Sequence, residues 1–173
     1  MSNGGARLPR WESPSRTPAL AASRAGHPTL RFNFRGVGAS PGTPGPVRTL
    51  VEDIEAGLAA LQENAGTEAA AVVSLGGSAR AVLRLEETSP GLAGSALVSP
   101  GELEGELLAR VQTPLLVVVG EAEPLRRDTL GAALAEAGGV LVVIPAADGR
   151  FQRNLPDVGR SVVQWLAGLA PSA

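Results

Sequence analysis

Few side chains in this chain can do acid–base or covalent chemistry, and the types that are missing set the limits. There is no cysteine, no tyrosine and no lysine; all 15 basic residues are arginine, and His27 is the one histidine. Without thiols there is no thiolate nucleophile, no disulfide and no thiolate-bound zinc or iron–sulfur centre. Without lysine there is no Walker-type phosphate loop, Schiff base or Ser–Lys dyad. Hydroxyls and carboxylates remain. Ser74 and Ser78 bracket Leu75-Gly76-Gly77, and glutamates cluster at Glu102, Glu104 and Glu106 and again at Glu121 and Glu123.

Each of these groups has a plainer explanation beside the chemical one. With no histidine nearby, calcium or magnesium would be the ions for the glutamates, but alternate carboxylates at a helix start are also an ordinary solvated, dipole-favoured face. Arg126, Arg127, Arg150 and Arg153 suit an anion or a partner's carboxylates, and equally suit a solvated surface. Leu75-Gly76-Gly77-Ser78 opening a helix could hold a small anion, or simply let strand and helix pack closely. Gly36-Val37-Gly38 has part of a dinucleotide-binding fingerprint, yet its third glycine arrives one residue late, at Gly42. Pro41, Pro44 and Pro46 then forbid the helix that should follow at once. No cofactor is expected.

Five short apolar runs have the length and β-branched content of buried parallel strands: residues 29–33, 70–74, 94–99, 115–119 and 140–144. Helical spacing lies between them. Residues 47–63 place Val47, Leu50, Val51, Ile54, Leu58 and Leu61 on one stripe, and residues 18–24, 78–87, 102–110, 129–137 and 158–169 complete the set. Such alternation predicts an α/β/α domain with a mostly parallel sheet of five to six strands over residues 17–173, preceded by a disordered segment, 1–16. A net charge of −2 gives no reason to expect nucleic acid or an acidic membrane as a partner. No run approaches the roughly 20 apolar residues of a membrane span, and the polar N-terminus lacks a signal-peptide core, so a cytoplasmic location is expected.

The first run continues as Arg31-Phe32-Asn33-Phe34-Arg35-Gly36-Val37-Gly38-Ala39-Ser40. This resembles the strand and Arg-Gly-x-Gly-x-Ser turn of small bacterial α/β hydrolases related to dienelactone hydrolase. Val117-Val118-Val119-Gly120-Glu121-Ala122-Glu123 looks like that family's strand ending in Gly-x-x-Asp, where the acid of the triad sits. Val142-Val143-Ile144-Pro145-Ala146-Ala147-Asp148-Gly149 looks like its last strand and the loop of the catalytic histidine. The resemblance covers about residues 18–169 and implies an α/β-hydrolase fold.

It also implies where the triad should be, and the side chains are not there. The nucleophile elbow matches Val73-Ser74-Leu75-Gly76-Gly77-Ser78-Ala79, which puts Gly76 at the serine position. Glu123 holds the acid position and Gly149 the histidine position. His27 precedes the first run, at the opposite end of a parallel sheet and roughly 16 Å from its carboxyl ends. The family's earlier central strand, which carries part of the oxyanion hole, has only Ala6-Arg-Leu-Pro-Arg-Trp11 to match it, so the resemblance is to a triad-deficient, N-terminally shortened member. The sequence therefore reads as an inactive hydrolase-like protein that binds a protein or small ligand. The alternative is a divergent ester hydrolase using Ser78 or Ser74.

Overall fold

The computed structural model describes residues 16–87, 89, 92–124 and 127–169. Four parallel strands, β1 (Ala70–Leu75), β2 (Leu92–Val98), β3 (Leu115–Gly120) and β4 (Val140–Ile144), lie side by side in that order. The register aligns their carboxyl ends, with Leu75 opposite Val98, Val98 opposite Val118 and Gly120 opposite Ile144. Helices α1 (Arg16–Arg24) and α2 (Val47–Ala65) precede the sheet. Helices α3 (Ala79–Leu85), α4 (Gly105–Leu108) and α5 (Arg127–Glu136) make the crossovers, and α6 (Leu155–Ala167) closes the chain. A single 3-10 turn, Gly76–Ser78, joins β1 to α3.

Strand periodicity sorts the core into two layers. Leu97, Val117 and Val119 face α2, α3 and α5, where they meet Ile54, Val82, Leu85, Leu130 and Leu134. Ala96, Val98, Leu116 and Val118 face the other way, onto Val158 and Val162 of α6. Helix α1 packs on α6, its Thr17 and Ala21 lying against Gly159. The two central strands are buried on both faces and so read as unbroken apolar runs. β4, at one edge, leaves Val140 and Val143 exposed. No helix among the described residues is long and apolar enough to cross a membrane.

One expected strand does not form. Residues 29–33 bond to no strand, so the described sheet has four strands instead of five or six. The segment is held by side chains. Phe32 stacks edge-on against Phe34 and packs on Gly57 of α2, while Phe34 joins the core. The Arg35 backbone N–H donates to Asp53 Oδ2 at 2.9 Å and its Nε donates to Oδ1 at 2.7 Å. A ladder needs a backbone edge about 4.8 Å away, and the nearest, the outer side of β1, is separated from this segment by a cavity of about 530 Å³. Residues 1–15, with the 6–11 stretch weighed as a central strand, lie outside the described residues, and Arg16 opens α1 instead of ending a disordered segment.

The Arg35–Asp53 pair fixes that segment to α2 and makes its attachment sensitive to acid. Hydrogen bonds from the Arg35 side chain and backbone hold the Asp53 carboxyl below its usual value. A folded-state pKa below the unfolded one stabilises above the unfolded pKa, and the benefit is lost as pH falls through the folded one. Asp53→Asn should lower the melting temperature at pH 7 by roughly 2–5 °C. The difference from wild type should shrink between about pH 5 and 3, as calorimetry across that range would show.

Candidate active site

Every loop that follows a strand opens at the same end of the sheet, and Gly76, Glu123 and Gly149 are placed there. Gly76 follows β1 at φ +63°, a left-handed conformation that glycine adopts without strain. It stands at the tip of the strand-to-helix turn, as the elbow reading requires. A Cβ at Gly76 would meet nothing within 4 Å, so the space for a nucleophile is open. Ser78 is not a helix cap: its hydroxyl donates to the Leu75 carbonyl at 3.1 Å and bonds no helix N–H. Ser74 faces inward on β1, 6% exposed, and its hydroxyl has no partner.

The acid and histidine positions meet. A Cβ built on Gly149 would lie 3.1 Å from both Cγ and Cδ of Glu123 and 2.6 Å from Ser99 Oγ. The Gly120 N–H donates to Glu123 Oε1 at 2.9 Å, and the Ala146 N–H donates to Glu121 Oε2 at 2.8 Å. The first closes the turn after β3, and the second ties that loop to the one after β4. Ser99 links this pair to the elbow, because Leu75 and Val98 are register partners and the residues that follow them, Gly76 and Ser99, leave adjacent strands. His27 follows α1 and lines the cavity beside β1, whose lining runs from Thr67 and Ala69 before that strand to Leu75 and Ser78 at its end.

Strain gathers at the same end. Among the described residues, three that are not glycine have left-handed φ: Ser99 at +48°, Ala146 at +51° and Phe151 at +51°. Each follows the carboxyl end of β2 or β4. Such residues cost about 1–2 kcal/mol and persist where surrounding structure holds them, commonly at functional sites. For Ser99 the following Pro100 adds a further restriction, since a residue before proline favours the β region. Nothing in the local sequence marks Ser99; its place depends on how β2 ends beside the β4 loop.

The other candidates have structural partners. Glu104 pairs with Arg80 at 3.1 Å, and Arg127 donates to the Glu121 carbonyl. Glu102, Glu106, Arg150 and Arg153 are exposed, and Arg126 lies outside the described residues. No group of three or more acidic or histidine side chains among the described residues could hold a metal ion. Gly36 and Gly38 bend a surface loop, with the Gly36 N–H on the Pro41 carbonyl, and the helix after them begins only at Val47.

The chain matches no protein-family model and no curated protein sequence. Its fold is nonetheless that of solved α/β hydrolases. A lidless serine hydrolase from Xanthomonas campestris superposes with a TM-score of 0.77 at 22% identity, covering 100% of this chain and 80% of that one. A serine hydrolase homologue from Coxiella burnetii gives 0.74 at 22% identity, covering 88% and 76%. Est1E of Butyrivibrio proteoclasticus, solved with ferulic acid bound, gives 0.79 at 14% identity, covering 92% and 84%. The chain has the α/β-hydrolase fold.

Side chains placed at the two glycines should have unequal costs. Gly76→Ser meets no atoms and should lose only the roughly 1–2 kcal/mol of a Cβ at positive φ. Gly149 is half-buried against Ser99 and Glu123, so Gly149→His should destabilise more than Gly76→Ser, and Ser99→Gly should recover part of that loss. Urea unfolding of the single and combined variants measures both.

Proposed function

We propose that this chain is an α/β-hydrolase-fold protein without hydrolase chemistry, acting by binding a protein or a small ligand in the cytoplasm. The observation that carries the reading is Gly76: it keeps the left-handed turn of a nucleophile elbow, with room for a side chain, and has no side chain. Gly149 beside Glu123 supports it, since the acid stands next to a position with no imidazole to orient. General-base activation of a serine needs a base within hydrogen-bond reach. The Ser78 hydroxyl donates to the Leu75 carbonyl and not to the chain's one histidine, His27.

The competing reading is ester hydrolysis by Ser78 or Ser74. Ser78 directs its proton to the Leu75 carbonyl, and Ser74 is buried in the strand, so neither has the exposed and activated hydroxyl that attack requires. A serine-directed fluorophosphonate separates the two readings. The wild-type chain should show no stoichiometric adduct by intact mass; labelling of Ser78 or Ser74 would overturn the inactive reading.

A further inference from the structure

The cavity beside β1 has the construction of a vacant strand position. One wall is the outer edge of β1, which among the described residues pairs with β2 alone. In a parallel strand alternate residues direct N–H and C=O to each side, so about three of its residues present both groups to the cavity. The opposite wall is the segment carrying Leu30, Phe32 and Phe34, and no backbone hydrogen bond among the described residues joins it to β1. This wall runs parallel to β1, since Phe32 lies on Gly57 and Arg35 on the earlier residue Asp53 of α2, the helix that turns back into β1. Above and below, α1 contributes Ala22 and α2 contributes Ile54.

Two rows of need meet in this slot. The outer backbone groups of β1 face an apolar cleft, where an unpaired N–H or C=O is costly. Ser74 is among the β1 residues that line this slot, and its own hydroxyl is turned into the strand's packed face. A hydrocarbon ligand would leave the backbone groups unsatisfied, whereas another backbone satisfies them. With a wall on each side, the slot suits a single extended segment better than the edge of a folded sheet with its helices. Side chains alternate between two apolar faces, and Arg31 is the one charged residue among those lining the slot. The complement is an uncharged segment rich in small and β-branched residues. Residues 6–11 of this chain, with two arginines and a proline in six positions, are a poor match.

We infer that the slot between β1 and residues 27–34 binds a short, uncharged, extended segment of another protein as an added parallel strand. This rests on the binding reading above and names its site. The probe is a capped, fluorescein-tagged hexapeptide of alternating valine and threonine, titrated with the full chain and followed by anisotropy. Binding should be saturable and one-to-one. It should weaken at least tenfold when alternate peptide nitrogens are methylated, and at least tenfold in Val73→Arg, with Phe32→Ala as a second, surface-lying variant that also weakens it. Hydrogen exchange should show the outer β1 amides unprotected in the free chain and slowed by peptide. No saturable binding, or equal binding of the methylated peptide, would overturn the inference. So would β1 amides already slow without peptide: at every protein concentration this means the chain fills its own slot, and at high concentration only, a second copy does. Fluorophosphonate labelling of a serine would instead contradict the inactive reading whatever the peptide does.

Discussion

A sheet of parallel strands can be buried only if every strand is followed by a crossover that returns the chain to the same end and covers one face. That requirement governs this molecule. It places α2 to α5 on one side and α6 with α1 on the other, and it sends the loops after β1, β2, β3 and β4 to one rim. Gly76, Ser99, Glu123 and Gly149 lie far apart in the chain and share a rim for this reason alone. The same requirement makes the outer side of β1 conspicuous. An edge of a parallel sheet is normally covered or paired, and here a half-open cavity lies against it.

The rim combines an open, left-handed turn at Gly76 with a glycine, Gly149, set against Glu123. A serine at the elbow tip would be strained at φ +63°, and glycine removes that strain together with the nucleophile. Strain has not been removed from the rim as a whole, because Ser99, Ala146 and Phe151 still hold left-handed backbones. Phe151 is fully buried and Ala147 nearly so, and their packing onto α6 holds the loop after β4 in place. Glu121 and Glu123 then lock the neighbouring loop through backbone N–H groups. The Glu123 carboxylate thus has a structural partner of its own, the Gly120 N–H.

Much of this was readable in the residues. The runs that became β1 to β4 are apolar and β-branched because both faces of a parallel sheet are buried, and their placement followed from that pattern. The order of the turn motifs pointed to Gly76 as the elbow tip and to Gly149 beside an acid. Residues 29–33 misled for an instructive reason: Leu30 and Phe32 have strand character, but a strand exists only where a partner edge is within hydrogen-bond reach. Ser99 was invisible because its strain and its contact with Gly149 arise from strand register and loop approach, which no local pattern encodes. The Ser78 hydroxyl donates to the Leu75 carbonyl across the 3-10 turn, a bond that its residue type alone does not announce.

The central claim is that the hydrolase geometry survives and only the reacting side chains are gone. The most direct measurement is fluorophosphonate labelling of a chain carrying Gly76→Ser, Gly149→His and Ser99→Gly together, compared with wild type and with each glycine substitution alone. Folding of each variant is checked by circular dichroism. The account predicts a covalent adduct at position 76 in the combined variant, slow because oxyanion stabilisation commonly supplies about 10²–10³ of the rate, and no adduct in wild type. A folded combined variant that stays unlabelled at position 76 would show that these positions do not converge as a site, and would contradict the account.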